Sequence, residues 1–468
     1  MYTITENTLR TGQGFVPSAS LRSFAGGFDN WRAEHKKDPL HFVVTEKQPG
    51  LQLTVSPKSD LPNPEMYMAR KGRYVAATLV KTRHTTPSAI DAVARLLGVD
   101  ARCISYGGLK DRTAVTSQMI VIEGVSLDHV RRSCFPSEQT LREHGFFLKD
   151  ARPTDKRLSK GHLEGNRFEI LLTVDGKSAA ELSEYLQPRV NYLMAEQGNA
   201  PKVPNFFGRQ RLGRRQNLMG VGREFILNGV NAGVKRFICE AVKENDHPKA
   251  TEIRMELAKI WEEAEVRAAN RGETVAEQFM CFLDMKAVLE APIGYHKKPV
   301  WKMANMYIEH RLVNRILATK SMEQAVTDLR NDLSLSIGAY QGFWFNQVLG
   351  AVIDGKVPLS ALDRGHNGEP VIPLYFTGDD QSVAFYKQVC PEAIPDKVDP
   401  FIKRLFLTNP PGRPGPRRSA FISVKNLEYR VHDGAVSFKF SLPSGSYATN
   451  FLAYLFELDQ DDLEESNR

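Results

Sequence analysis

The sequence predicts a mixed α/β protein, with strand-rich blocks at both chain ends and a mostly helical block between them. Three observations carry this. Alternating apolar residues mark strands near both ends, as at Phe168, Ile170, Leu172 and Val174, and at Val436, Phe438 and Phe440. Residues from about 223 to 355 read as helix, with long charged stretches such as Lys249 to Arg271. A stiff Pro/Gly segment, Asn409 to Arg418, forms a boundary before the last strands. One arrangement joins both ends into a single domain with the middle inserted; the alternative is three consecutive domains.

The individual elements follow in order. The first 35 or so residues, rich in Gly, Ser and Asn, read as irregular. Phe42 to Glu46 reads as a strand. Thr86 to Gly98 reads as a helix, with Thr86 as cap, Pro87 in the first turn, Gly98 as stop, and Ile90, Val93, Ala94 and Leu97 as its apolar stripe. Cys103 to Tyr106 is a short strand, Gly107 to Thr113 a polar turn, and Gln118 to Ile122 another strand. Ser178 to Gln197 is helical. Residues 357–408 mix short strands and turns. Leu442 to Ser446 turns into a C-terminal helix, Tyr447 to Phe456.

Composition narrows the class. The chain has 468 residues, too many for one ordinary core and a natural length for two or three domains. Hydrophobic residues are 42% and charged residues 25%, the mark of a globular chain. Lys plus Arg is 62 against 55 for Asp plus Glu, a net charge of +7. The last twelve residues, Glu457 to Arg468, carry net −5 and are expected to be disordered, which leaves the body near +12. A basic body suits a polyanionic partner. No apolar run approaches the roughly 20 residues of a membrane span. Met1 to Glu6 lacks a basic start followed by an apolar stretch, so no signal peptide is expected. The five cysteines are scattered with no C-x-x-C, and no H-E-x-x-H, Walker A or complete dinucleotide loop appears. The expectation is a cytoplasmic, reduced protein with no metal, cofactor or membrane.

The segment with the most chemistry is Gly107-Gly-Leu-Lys-Asp-Arg-Thr-Ala-Val-Thr-Ser-Gln118. It displays a carboxylate, Asp111, in a glycine-opened turn between two strands, where scaffolds present reactive groups. Lys110 and Arg112 flank it and favour the ionised form, which suits a nucleophile or electrostatic stabiliser. A solvated β-turn is the plain alternative. A second segment, Lys202 to Arg215, holds five basic residues and no acid.

These segments resemble the TruD family of pseudouridine synthases. Gly-x-Lys-Asp-Arg-x-Ala-x-Thr-x-Gln at 108–118 is similar to that family's signature. Glu164-Gly-Asn-Arg-Phe168, Val203-Pro-Asn-Phe-Phe-Gly-Arg-Gln-Arg-Leu-Gly213, Phe345-Asn346 and Leu442-Pro-Ser-Gly-Ser-Tyr-Ala-Thr449 resemble further family motifs in the same order. The resemblance spans roughly residues 38–456. It implies a catalytic domain with a mixed sheet built from residues 1–200 and 409–456, and an inserted α/β TRUD domain over 201–408 with extra helices around 223–300. It also implies isomerisation of a uridine in transfer RNA, typically uridine 13, to pseudouridine without a cofactor.

The site residues implied by the resemblance are these. Asp111 would be the nucleophile. Phe42 would line the base pocket, although Leu40-His41 precede it where the family has Glu-Asp. Lys36 matches a family lysine. Asn166 would hydrogen-bond the uracil or ribose, Phe168 would stack in the pocket, and Tyr447 would close it. Lys110 and Arg112 are grouped with the substrate contacts. Arg209, Arg211, Arg214 and Arg215 are expected to hold RNA phosphates, with Arg413, Arg417 and Arg418 as weaker candidates. Phe206, Phe207 and the run Tyr340 to Phe345 read as core. An RNA-binding protein or chaperone without turnover is the alternative function.

Overall fold

The computed structural model describes residues 4–35, 37–68, 72–159, 163–195, 200–213, 215–242, 246, 248–293, 297–365, 368–375, 380–395, 397–408 and 415–458. The chain divides into two compact units. One is built from Ala25–Val203 and the segment that begins at Ile422; the other from the segment ending at Phe24 and from Pro204–Phe421.

The first unit is organised by a mixed sheet. Its main strands are β1 (Phe42–Gln48), β2 (Tyr74–Lys81), β3 (Val115–Ile122), β4 (Phe146–Thr154), β5 (Gly165–Thr173), β6 (Lys425–His432) and β7 (Ala435–Pro443), in the spatial order β6-β7-β5-β1-β3-β2-β4. Leu51–Gln52 pairs with β1 and Ile104–Tyr106 with β3. The β1/β3 pair is parallel, and every other neighbour along that order is antiparallel. The C-terminal strands are thus stitched into a sheet made by the N-terminal half, with Phe440 opposite Phe168 and Leu442 opposite Asn166. Gly165 is required there: a Cβ on it would lie 2.3 Å from the Leu442 carbonyl oxygen.

Helix α1 (Thr86–Leu97) covers part of one face. Thr85, rather than the expected Thr86, is its N-cap and accepts from the Ser88 N–H. Ile90, Val93, Ala94 and Leu97 are buried against Val75, Ala77, Leu79, Ile120 and Ile122 of the sheet. Helix α2 (Ala179–Ala195) packs on β6, and helix α3 (Ala448–Leu452) follows Tyr447. The C-terminal helix is therefore shorter than expected. Strands β2, β4 and β6, which the sequence pattern had not marked, complete the sheet.

The second unit is mainly helical. Its longest helices are Leu218–Cys239, Pro248–Arg271 and Arg330–Ile353. The last is buried along Tyr340, Phe343, Trp344 and Phe345, as expected of a core segment. It packs closely on Leu218–Cys239, where a Cβ on Gly222 would meet the Ser336 carbonyl oxygen at 2.1 Å. A small sheet joins Asp363–Arg364, Pro370–Pro373 and Arg417–Ser419.

Two boundaries differ from expectation. Residues before Ala25, read as irregular, contain helices Glu6–Thr11 and Ser18–Phe24 and group with the helical unit. Residues 415–421 also group there, because Arg417–Ser419 pairs with Pro370–Pro373. The acidic tail from residue 459 lies outside the described residues. Among the described residues no helix is long and apolar enough to cross a membrane.

Candidate active site

The loop between Ile104–Tyr106 and β3 carries Asp111, half-buried, and is held at four points. The Gln118 side chain donates to the Gly108 carbonyl at 3.2 Å. The Lys110 N–H donates to the Thr86 hydroxyl at 2.8 Å, and that hydroxyl donates to Gln118 Oε1 at 3.2 Å. The Lys110 ammonium lies 3.0 Å from a Glu46 carboxylate oxygen and donates to Asn166 Oδ1 at 2.8 Å. The Lys81 ammonium donates to the Asp111 carbonyl at 2.7 Å. Thr86 is thus freed by Thr85 from capping duty and used to fix the Asp111 loop.

Besides Lys110, whose side chain is 5% exposed, two of these groups are charged and fully buried. Glu46 is fully buried on β1 and accepts from Gln48 Nε2 at 2.5 Å and from the Met119 N–H at 3.2 Å, besides pairing with Lys110. Lys81 is also fully buried, at the end of β2. Burial pushes its ammonium down to about 8; the Asp111 charge works against that shift and the Lys110 charge adds to it.

The aromatic residues form one packed row. Phe42 and Phe168 meet edge to face at 6.5 Å, Phe168 stacks on Phe440 at 5.4 Å, and Phe440 meets Phe451 of α3 at 4.8 Å. Strand register explains the row: Phe168 faces Phe440 on one side and Val44 on the other. Tyr447, half-buried, stands just before α3, one turn ahead of Phe451. Asn166 lies on the same strand face as Phe168, two residues away, and opposite Glu46.

The structure therefore brings Asp111, Lys110, Asn166, Phe42 and Phe168 into one connected cluster in the first unit. Arg112 is exposed and donates through Nε to the Arg83 carbonyl at 3.3 Å. The Lys110 side chain is 5% exposed and engaged with Glu46 and Asn166. Phe42 and Phe168, 2% and 5% exposed, form the floor of the cluster rather than open stacking faces. Lys36 lies outside the described residues.

Arg209 donates to the Thr11 carbonyl at 2.9 Å and to Gln216 Oε1 at 3.1 Å. Arg211 donates to the Gly338 carbonyl at 3.1 Å and lies over the Phe207 ring. Arg215 pairs with Asp246 at 2.7 Å and donates to the Glu240 carbonyl, and burial lowers its guanidinium to about 10. These three side chains are engaged inside the helical unit. Arg214 and Arg413 lie outside the described residues. Arg417 pairs with Asp363, and Arg418 donates to Asn205 and covers the Phe207 ring at 4.1 Å. Phe206 and Phe207 are buried as expected. Asn346 accepts from the Phe207 N–H and donates to the carbonyls of Phe207 and Phe15, so the Phe345-Asn346 and Asn205-Phe-Phe207 segments interlock structurally.

Sequence reasoning missed Lys81 and Glu46. A weak signal existed: each charge ends a run with apolar members, Val-Val-Thr-Glu46 and Thr-Leu-Val-Lys81, although Lys47 follows Glu46 on the same strand.

Comparison with known proteins adds a family. A family model described as tRNA pseudouridine synthase D (TruD) matches residues 25–279. The tRNA pseudouridine synthase D of Geobacter sp. strain M21 is 24% identical over 414 residues, covering 83% of this chain and 91% of that protein. That of Geotalea daltonii is 31% identical over 176 residues, 38% of this chain and 40% of that protein. A crystal structure from Methanosarcina mazei, described as a candidate tRNA pseudouridine synthase D (TruD), aligns with a TM-score of 0.57 at 17% identity, covering 94% of this chain and 97% of that one. At that identity the likeness bears on the fold, and it agrees with the mixed α/β architecture.

Proposed function

The chain belongs to the tRNA pseudouridine synthase D (TruD) family, an isomerase family, and from that premise we propose that it converts a uridine of transfer RNA, position 13, to pseudouridine with Asp111 as nucleophile. The observation that carries the reading is the fixing of the Asp111 loop at Gly108, Lys110 and the Asp111 carbonyl itself. A turn that merely joins two strands needs no such anchoring, whereas a reacting carboxylate gains from pre-set geometry.

The chemistry balances without any added reagent. The N1–C1′ bond breaks as the carboxylate attacks C1′, or as the carboxylate takes the C2′ proton and uracil leaves to give a glycal, that proton returning to C2′ when C5 bonds to C1′. The base rotates, C5 bonds to C1′ and releases the carboxylate. The C5 proton leaves and N1 takes up a proton, so substrate and product are isomers. A base stacked in folded RNA must first swing out, at a cost of a few kcal/mol.

Release of tritium from transfer RNA labelled at uridine C5 tests the proposal. Asp111→Asn is expected to abolish release while RNA binding stays within a few-fold. Turnover by that variant would overturn the nucleophile assignment. Release from a transfer RNA lacking uridine 13 would overturn the position.

A further inference from the structure

The hydrogen bonds around Asn166 have a polarity that the charges dictate. An ammonium has donors and no acceptor. The Lys110 ammonium, 2.8 Å from the Asn166 side chain, therefore fixes which end of that amide faces it: the oxygen must, because the alternative sets N–H against N–H. Lys110 cannot turn away, since its side chain is 5% exposed and its charge answers the fully buried Glu46 at 3.0 Å. Glu46 is in turn held by Gln48 Nε2 and the Met119 N–H, both donors, and Asn166 lies opposite it across the β1/β5 pair. The order acceptor, donor, acceptor runs from Glu46 through Lys110 to Asn166 Oδ1.

What remains of Asn166 is its NH₂ group. It makes no hydrogen bond among the described residues, and the residue is half-buried, two strand positions from Phe168 on the same face and linked through Lys110 to the Asp111 loop.

We propose that Glu46 and Lys110 are positioning residues that lock Asn166 as a hydrogen-bond donor, so that the site selects a base presenting a carbonyl oxygen there, O2 or O4 of uracil. This rests on the reading of Asp111 as the centre of a uridine isomerase. It adds a specificity device: a base or tautomer presenting N–H at that point meets N–H and is rejected, because a buried donor left unpaired is costly.

The test compares kcat/KM by tritium release for wild type, Asn166→Asp and the double variant Glu46→Gln, Lys110→Met. Substrates carry uridine, 2-thiouridine or 4-thiouridine at the target position, sulfur being the poorer acceptor. Asn166→Asp keeps a partner for Lys110 but has no donor, so it should fold normally and lose about 30- to 100-fold on uridine, the loss expected when one polar group is left unpaired. Wild type should lose about tenfold with one of the two thiouridines, which identifies the oxygen. That ratio should fall towards one in Asn166→Asp, because the contact is already gone. It should also fall in the double variant, which removes both charges together and leaves no buried ion unpaired but frees the amide to turn. Asn166→Asp within threefold of wild type, or an unchanged thiouridine ratio in the double variant, would overturn the proposal. Absence of release by wild type on any transfer RNA would instead overturn the isomerase reading, and this inference with it.

Discussion

Replacing Lys81 by Met should separate stability from activity. In the native state burial holds the Lys81 ammonium near 8, against an ordinary value of 10.5. At about 1.4 kcal/mol per pH unit, keeping it charged at neutral pH costs the fold about 3 kcal/mol. The sign follows from proton counts. Between the two values the unfolded chain binds the proton and the native chain does not, so this group favours the fold fully above 10.5, and that favour is lost as pH falls towards 8. Methionine fills the same space with no charge. It forfeits the hydrogen bond to the Asp111 carbonyl, worth about 1.5–3 kcal/mol for a charged donor. At pH 7 the two terms nearly cancel, and Lys81→Met should be as stable as wild type or slightly more so. The decisive quantity is the change with pH. The variant's stability relative to wild type should fall by about 2 kcal/mol between pH 7 and pH 10, as wild type sheds its desolvation cost. Urea titrations of both proteins at each pH measure it, and titrations of other groups cancel in the difference. Isomerase activity should drop about tenfold or more at every pH, because the Asp111 main chain loses its anchor. A stability difference that does not move with pH would refute the assignment of Lys81 as a buried, strained cation.

Three further outcomes follow from the packing. Phe168→Ala removes the centre of the row from Phe42 to Phe451 and should cost about 3–5 kcal/mol in urea unfolding. Gly165→Ala places a methyl against the Leu442 carbonyl and should cost about 1–3 kcal/mol by forcing β7 from β5, seen as faster hydrogen exchange across that strand pair. Arg215→Ala leaves buried Asp246 without its close partner and should destabilise the helical unit by about 3–5 kcal/mol. The slope of RNA affinity against salt should stay unchanged in that variant; a shallower slope would restore Arg215 as a phosphate contact.

The sequence alone determined the local grammar and singled out Asp111. Thr-Pro at the start of α1 and Gly98 at its end act within one turn, and the alternation at Phe168 to Val174 expresses a period set by the backbone itself. Asp111 was legible because a carboxylate between two cations in a glycine-opened turn is a local pattern. Tertiary structure decided everything that depends on partners far along the chain. Arg209, Arg211 and Arg215 looked like part of a phosphate clamp, yet they engage the Thr11 carbonyl, the Gly338 carbonyl and Asp246. Nothing in the sequence around Lys110 announces that β1 sets Glu46, and β5 sets Asn166, against it. A side chain's charge is written in the sequence. Whether that charge faces water or a buried counter-ion depends on which strands the fold sets side by side, and such long-range pairings leave no periodic trace in the chain.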